Sequence, residues 1–261
     1  MKWTVVVFVM AALFCGDAQA VVALAGTRLV FDGRFHEATI DVSNPGNAQV
    51  LIQAWLTDAR TDQAATDALP FVLTPHLAQL PAQGRKTLRV LYQGVGMPAD
   101  RESLLHLYVL EVPRRSEASQ QLNIAVRQRI NVFYRPAGLV GDPADAAQRL
   151  AWQWNPKDYA ALKVHNPTPF HVSLHELALN QIEIAEDLML EPFSSHSLQL
   201  PEPLTARSTG SRAGNLSFKA LTDYGGQREF CAPAQDQAPF NAQLRSPGAF
   251  SSGASSSIGK C

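Results

Sequence analysis

The chain has 261 residues, 46% of them hydrophobic and 17% charged, with a formal net charge of −1. That length suits one large or two ordinary globular domains. The absence of a basic excess argues against nucleic acid as a partner.

Lys2, the apolar run WTVVVFVMAALF and the small-residue sequence Ala18-Gln19-Ala20 follow one another in the order of a secretory signal peptide, placed at residues 1–20. The run is too short for a membrane span, which takes about twenty apolar residues. An exported, soluble chain starting near Val21 is expected. Beyond the leader only Cys231 and Cys261 remain, which permits one disulfide and leaves its pairing open. Short runs rich in β-branched and aromatic residues then recur: TRLVF (27–31), EATIDVSN (37–44), VLIQAWLT (50–57), KTLRVLY (86–92) and LLHLYVLEV (104–112). Breakers such as Asn-Pro-Gly separate them, which predicts about seven antiparallel strands in a β-sandwich.

The stretch from Leu122 to Arg135 closes the first domain. Leu122, Ile124, Val126, Ile130, Val132 and Tyr134 all fall on even positions, the pattern of a strand with one buried face. It exceeds the usual strand length of about five or six residues, and Arg135-Pro136 ends it. Ala144 to Leu150 predicts one short helical turn. ALKVHNPTPFHVSLHELAL (161–179) then echoes ATIDVSNPGNAQVLIQAWL (38–56), each a strand, an Asn-Pro and a second strand. The separation of Asn44 from Asn166 is about one domain length, so two sandwiches are predicted, at 21–137 and 138–231. Residues 232–261, rich in Ala, Ser, Gly, Pro and Gln, bury too little apolar surface to offset their ordering entropy and are expected to be disordered.

Signals for chemistry are few. His171, His175 and Glu176 are the best metal candidates, but PFHVSLHEL reads as a strand. There, residues four apart are separated by about 13 Å instead of sharing a helical face. Ordinary surface histidines are expected. No Gly-x-Ser-x-Gly elbow, phosphate loop or paired-cysteine zinc pattern occurs, and GVG at 94–96 reads as a turn. No catalysis, cofactor or metal is expected. Trp152 and Trp154 alternate onto one face and read as core, not as a sugar-binding platform.

Taken together, GTRLVFDG (26–33), VSNPGN (42–47), MPADRESLLHLYVLEVP (97–113), LNIAVRQRINVFYRP (122–136), VHNPTPFHVSL (164–174) and LTDYGG (221–226) resemble the PapD-like periplasmic chaperones of the chaperone–usher pathway. The resemblance implies an all-β chain of two immunoglobulin-like sandwiches in a boomerang arrangement. It also implies a function, binding pilus or fimbrial subunits by donor-strand complementation and delivering them to an outer-membrane usher. The long strand would lend Leu122, Ile124 and Val126 as plugs for the subunit's open core. Arg28 would hold the subunit's C-terminal carboxylate. The family's partner lysine falls at Asn131, so Arg28 would anchor the carboxylate alone or with Arg129, one same-face step away. Glu102, Arg135 and Asp223 would form a charge network between the domains. Self-association of the subunit-free protein through the same strand is left open. The competing reading is a two-domain fimbrial subunit or adhesin, but only VVALAG precedes the first strand, too little for a donor extension.

Overall fold

The computed structural model describes residues 22–61, 69–113, 124–155, 160–205, 214–234 and 239–245. Its first part runs β1 (Ala23–Leu24), β2 (Arg28–Asp32), β3 (Glu37–Ser43), β4 (Val50–Asp58), β5 (Phe71–Thr74), β6 (Leu77–Leu80), β7 (Arg85–Tyr92), β8 (Ser103–Pro113) and β9 (Val126–Arg135). These form two sheets, β1-β3-β7-β5 and β2-β9-β8-β4-β6. Alternation explains the core between them: Ile130, Val132 and Tyr134 of β9 meet Phe31, Leu88, Val90, Leu105 and Leu107, all buried. Phe31, Phe71, Tyr92 and Tyr134 pack with ring centroids 4.7–6.3 Å apart, in edge, tilted and stacked pairs that suit their quadrupoles. The strands are not all antiparallel as the sequence suggests, because β2 runs parallel to β9, pairing Arg28 with Asn131 through Asp32 with Arg135. The chain reaches this arrangement by leaving the first sheet after β1 and crossing to the second at Ala25–Thr27.

A 3-10 helix, Pro143–Arg149, opens the second part where one helical turn was expected, with Asp142 accepting from the Ala144 amide at 2.8 Å as its cap. Strands β10 (Ala151–Trp154), β11 (Ala161–His165) and β14 (Ser195–Gln199) make one sheet. Strands β12 (Val172–Leu179), β13 (Ile182–Leu190), β15 (Gly214–Leu221), β16 (Gln227–Ala234) and β17 (Gln243–Leu244) make the other, in the order β13-β12-β15-β16-β17. Trp152 and Trp154 lie in this second core. The Asn-Pro echo has a structural basis. Buried Asn44 donates to Ala48 and Pro81 carbonyls at 2.7 and 2.9 Å, and its Oδ1 accepts from Gly46 at 3.0 Å. Buried Asn166 donates to Phe170 and Glu191 carbonyls at 2.7 and 2.9 Å, and its Oδ1 accepts from Thr168 at 3.0 Å. Each amide ties a turn to a neighbouring strand, a role that needs donor and acceptor on one short side chain.

The expectation of disorder throughout 232–261 is corrected in two places. Residues 232–234 complete β16, and residues 239–245 are built into the second sandwich. Phe240 and Trp152 exchange two backbone hydrogen bonds of 2.8 Å, Asn241 donates to the Leu150 carbonyl at 2.8 Å, and Ala242 is buried in the core. Strand β17 then pairs with Phe230 and Cys231 on β16. Main-chain bonds, the Asn241 amide, half-buried Phe240 and one small buried side chain hold this strap, a combination too sparse for composition to register. Cys231 is disulfide-bonded; no other cysteine falls among the described residues.

Candidate functional site: an open strand edge beside an ion network

Strand β9 is hydrogen-bonded to β8 along its whole length, from Glu111 opposite Val126 to Ser103 opposite Tyr134. On its other side β2 covers only Asn131 to Arg135. Val126 to Ile130 therefore have one edge without a strand partner among the described residues. Such an edge presents unpaired main-chain donors and acceptors, a template for another strand. The even face of β9 changes character along the strand. Ile130 is buried, Val126 half-buried, and Ile124 just upstream is 63% exposed. Gln128 breaks the apolar series and donates its side-chain amide to the Val22 carbonyl, while the Val22 amide donates to the Glu111 carboxylate at 2.7 Å. Leu122 lies outside the described residues.

Arg28 opens β2, opposite Asn131, where the uncovered stretch ends. Its guanidinium lies 5.6 Å from the Phe133 ring centroid, and its buried Nε has no hydrogen-bond partner among the described residues. Burial pushes the Arg28 pKa down, against the raising influence of Asp223 and Glu102. A guanidinium still stays charged at any physiological pH. Arg28 lines a cavity of about 440 Å³ between the two sandwiches, together with Phe133, Tyr224 and Arg228. Arg129 is exposed and does not share that cavity; it borders a separate groove between Gly26-Thr27 and Gln128–Ile130, along the open edge. Asn131 lines neither.

The three scattered charges meet at the same cavity. Arg135 donates from Nε to Glu102 at 2.8 Å and from both terminal nitrogens to Asp223 at 2.8 and 3.1 Å. Burial alone would lower the Arg135 pKa, but the hydrogen bonds it donates to Asp223 and the charge of Glu102 outweigh it and push it up. Glu102, 3% exposed, reaches across to the second sandwich, accepting from the His171 amide at 2.8 Å, with His171 Nδ1 at 3.1 Å. The Glu102 amide in turn donates to the Pro169 carbonyl at 2.9 Å. Gly33 lets β2 close against this joint, since a Cβ there would sit 2.8 Å from the Arg135 carbonyl oxygen.

Two residues here escape the sequence reading. His171, expected on the surface, is half-buried as a residue but its side chain is only 5% exposed, because its partner Glu102 comes from the other sandwich. His175 instead pairs with Asp187, and no group of three metal-ligating side chains forms among the described residues. Phe133, the ring beneath Arg28, does leave a sequence trace: Val132-Phe133-Tyr134 breaks the alternation, so both faces of the strand are covered at that point.

Two family models cover the chain: "Pili and flagellar-assembly chaperone, PapD N-terminal domain" over residues 21–140, and "Pili assembly chaperone PapD, C-terminal domain" over residues 145–232. The chain belongs to this family. The chaperone is 34% identical over 243 residues to the chaperone protein FimB/FhaD of Bordetella pertussis, covering 87% of this chain and 93% of that protein. It is 32% identical over 238 residues to the probable fimbrial chaperone YadV of Escherichia coli, covering 87% and 95%. Among solved structures, the Salmonella enterica SafB chaperone in complex with the SafA pilin superimposes with a TM-score of 0.68 at 28% identity, covering 88% of this chain and 99% of that one. The Pseudomonas aeruginosa CupB2 chaperone gives a TM-score of 0.68 at 29% identity, covering 81% and 100%. These matches favour a chaperone that assembles pilus subunits over a fimbrial structural subunit. The chaperone extends past the C-terminal family model, and its residues 239–245 lie in that extension.

Proposed function

We propose that this chaperone works in the periplasm, lending the uncovered stretch of β9 to a pilus subunit whose own sandwich lacks a strand, and that it passes the subunit to an outer-membrane usher. The observation that carries this reading is the coincidence of a free strand edge at Val126–Ile130 with Arg28 at the end of that edge. A subunit strand that ends at Arg28 must run parallel to β9, in line with β2, because β9 itself runs from Val126 towards Asn131. Main-chain bonds along the edge give affinity that tolerates varied sequence, and the plugs supply side-chain contacts. Ile124 has the most to gain, since full burial of such a side chain is worth about 1.5–3 kcal/mol. Val126 adds less because it is already half-buried.

A terminal carboxylate would supply the acceptor that Arg28 Nε lacks, through a charge-assisted bond that fixes the strand's register. Arg129, out of the Arg28 cavity, would act on the subunit main chain further along the groove, so Arg28 would bear the carboxylate without the second cation that the family resemblance implies at position 131. The Glu102–Arg135–Asp223 network, joined by His171, would hold the two sandwiches at the angle that keeps the cavity open. No helix among the described residues is long and apolar enough to cross a membrane, in keeping with a chaperone that works outside the bilayer.

The test is native mass spectrometry of the chaperone co-expressed with a pilin, comparing wild type with Arg28→Ala. A one-to-one complex that the substitution abolishes is expected. A complex with any pilin that survives Arg28→Ala would remove the carboxylate anchor, and no complex with a pilin would remove the donor-strand reading.

A further inference from the structure

Tyr224 is fully exposed, at 100%, yet it sits on a firmly held turn. Thr222 donates to the Gly226 carbonyl at 2.8 Å, and Gly225 donates to the Thr222 carbonyl at 3.0 Å. Both oxygens of Asp223 are bound to Arg135. Gly225 takes φ +79°, and a Cβ there would lie 3.3 Å from Thr27 Oγ1. The turn thus comes from the second sandwich and bears on Thr27, the residue before Arg28 in the first. Its tip faces the cavity that Arg28 lines. Phe35, Val95 and Val140 are also strongly exposed, but none of them borders this cavity.

A large ring standing in water on a rigid turn leaves only its two side-chain torsions, and no backbone, to be ordered on binding. It also has about 150–250 Å² to bury, which is why such rings dominate binding energy at interfaces. The occupant follows from where the open edge stops. Strand β2 takes over the edge of β9 at Arg28, so a strand filling the uncovered stretch must end against Thr27 and Arg28.

We propose that Tyr224 is a specificity-determining residue of the chaperone: its ring packs over the last residues of the bound subunit, whose terminal carboxylate Arg28 holds. The inference rests on the donor-strand reading above. It adds that the second sandwich closes the site that the first one opens. It also sets the chemistry of the subunit's end, an apolar or aromatic side chain at one of the last two positions.

The probe is a synthetic peptide of about the last twelve residues of the co-expressed pilin, long enough to span the uncovered edge. A second peptide carries serine at its final two positions. Titration calorimetry is run on wild type, Tyr224→Ala, Tyr224→Phe and Arg28→Ala. Tyr224→Ala is expected to weaken binding roughly ten- to fifty-fold and Tyr224→Phe by less than about two-fold. The serine peptide should bind Tyr224→Ala and wild type alike, since the two changes remove one contact. Melting of Tyr224→Ala should match wild type, because the ring packs on nothing in the free protein. If Tyr224→Ala binds as wild type does while Arg28→Ala fails, the inference is wrong and the donor-strand reading stands. If Tyr224→Phe loses as much as Tyr224→Ala, the hydroxyl and not the ring is at work, which also overturns it. If wild type does not bind the peptide, the donor-strand reading itself falls.

Discussion

Replacing Glu102 by Gln keeps the shape of the side chain and removes one charge from the joint between the sandwiches. The carboxylate serves two donors from opposite sides, Arg135 Nε at 2.8 Å and the His171 amide at 2.8 Å. Glutamine has one acceptor oxygen for them, and its NH₂ must face whichever donor is left. A lost bond to a charged group costs about 1.5–3 kcal/mol, and a donor-to-donor contact at a site 3% exposed adds to it. The loss is limited because Arg135 keeps both bonds to Asp223. A net cost of about 2–3 kcal/mol lowers Tm by roughly 4–10 °C in a chain of this size. Differential scanning calorimetry is the assay, because Glu102 is also what ties the first sandwich to the main chain of the second. The wild type should melt with its sandwiches coupled, and Glu102→Gln should resolve into two transitions. A variant melting in one transition within about 1 °C of wild type would refute the view that these bonds join the sandwiches.

Arg135→Ala removes the cation from between two carboxylates, one of them buried, and should cost about 3–5 kcal/mol along with subunit binding; unchanged melting and unchanged pull-down of a pilin would count against it. Ile124→Ser removes an exposed apolar side chain, so the free chaperone should melt as before while its complex with a pilin dissociates roughly ten-fold faster, read by surface plasmon resonance. A subunit peptide ending in an amide should bind at least ten-fold more weakly than the free acid, because Arg28 would meet a neutral group; equal affinities in calorimetry would exclude the carboxylate anchor. Ala242→Glu would force a carboxylate into the second core or expel residues 239–245, at a cost capped at about 1–3 kcal/mol by the few bonds that strap makes, and thermal melting would show it.

The fold was legible wherever side chains alternate, and hidden wherever the main chain decides. Two sandwiches, the echo of Asn44 in Asn166 and the closing strand follow from apolar spacing and turn residues. The parallel pairing of β2 with β9 does not, because an alternating strand looks the same whichever way its neighbour runs. Residues 239–245 escape composition for a related reason: Phe240 is one half-buried ring paired through its backbone, and Ala242 is too small to mark a buried position. At the site, Glu102, Arg135 and Asp223 were named through the family resemblance, since three charges far apart in sequence carry no pattern of their own. His171 was read as a surface histidine because the carboxylate that buries it belongs to the other sandwich.

In the proposed complex, the join between β2 and the open half of β9 would also work as a gauge of length. Asn131 is fixed opposite Arg28, so every position upstream on β9 stands at a set number of residues from the proposed carboxylate anchor. A partner strand one residue longer between its terminus and its first apolar side chain would turn its whole apolar set to the wrong face. A partner two residues longer would keep the face and miss the plugs by one step of about 7 Å. In the proposed complex the chaperone would thereby measure a ligand from its end, accepting many sequences while admitting only one spacing.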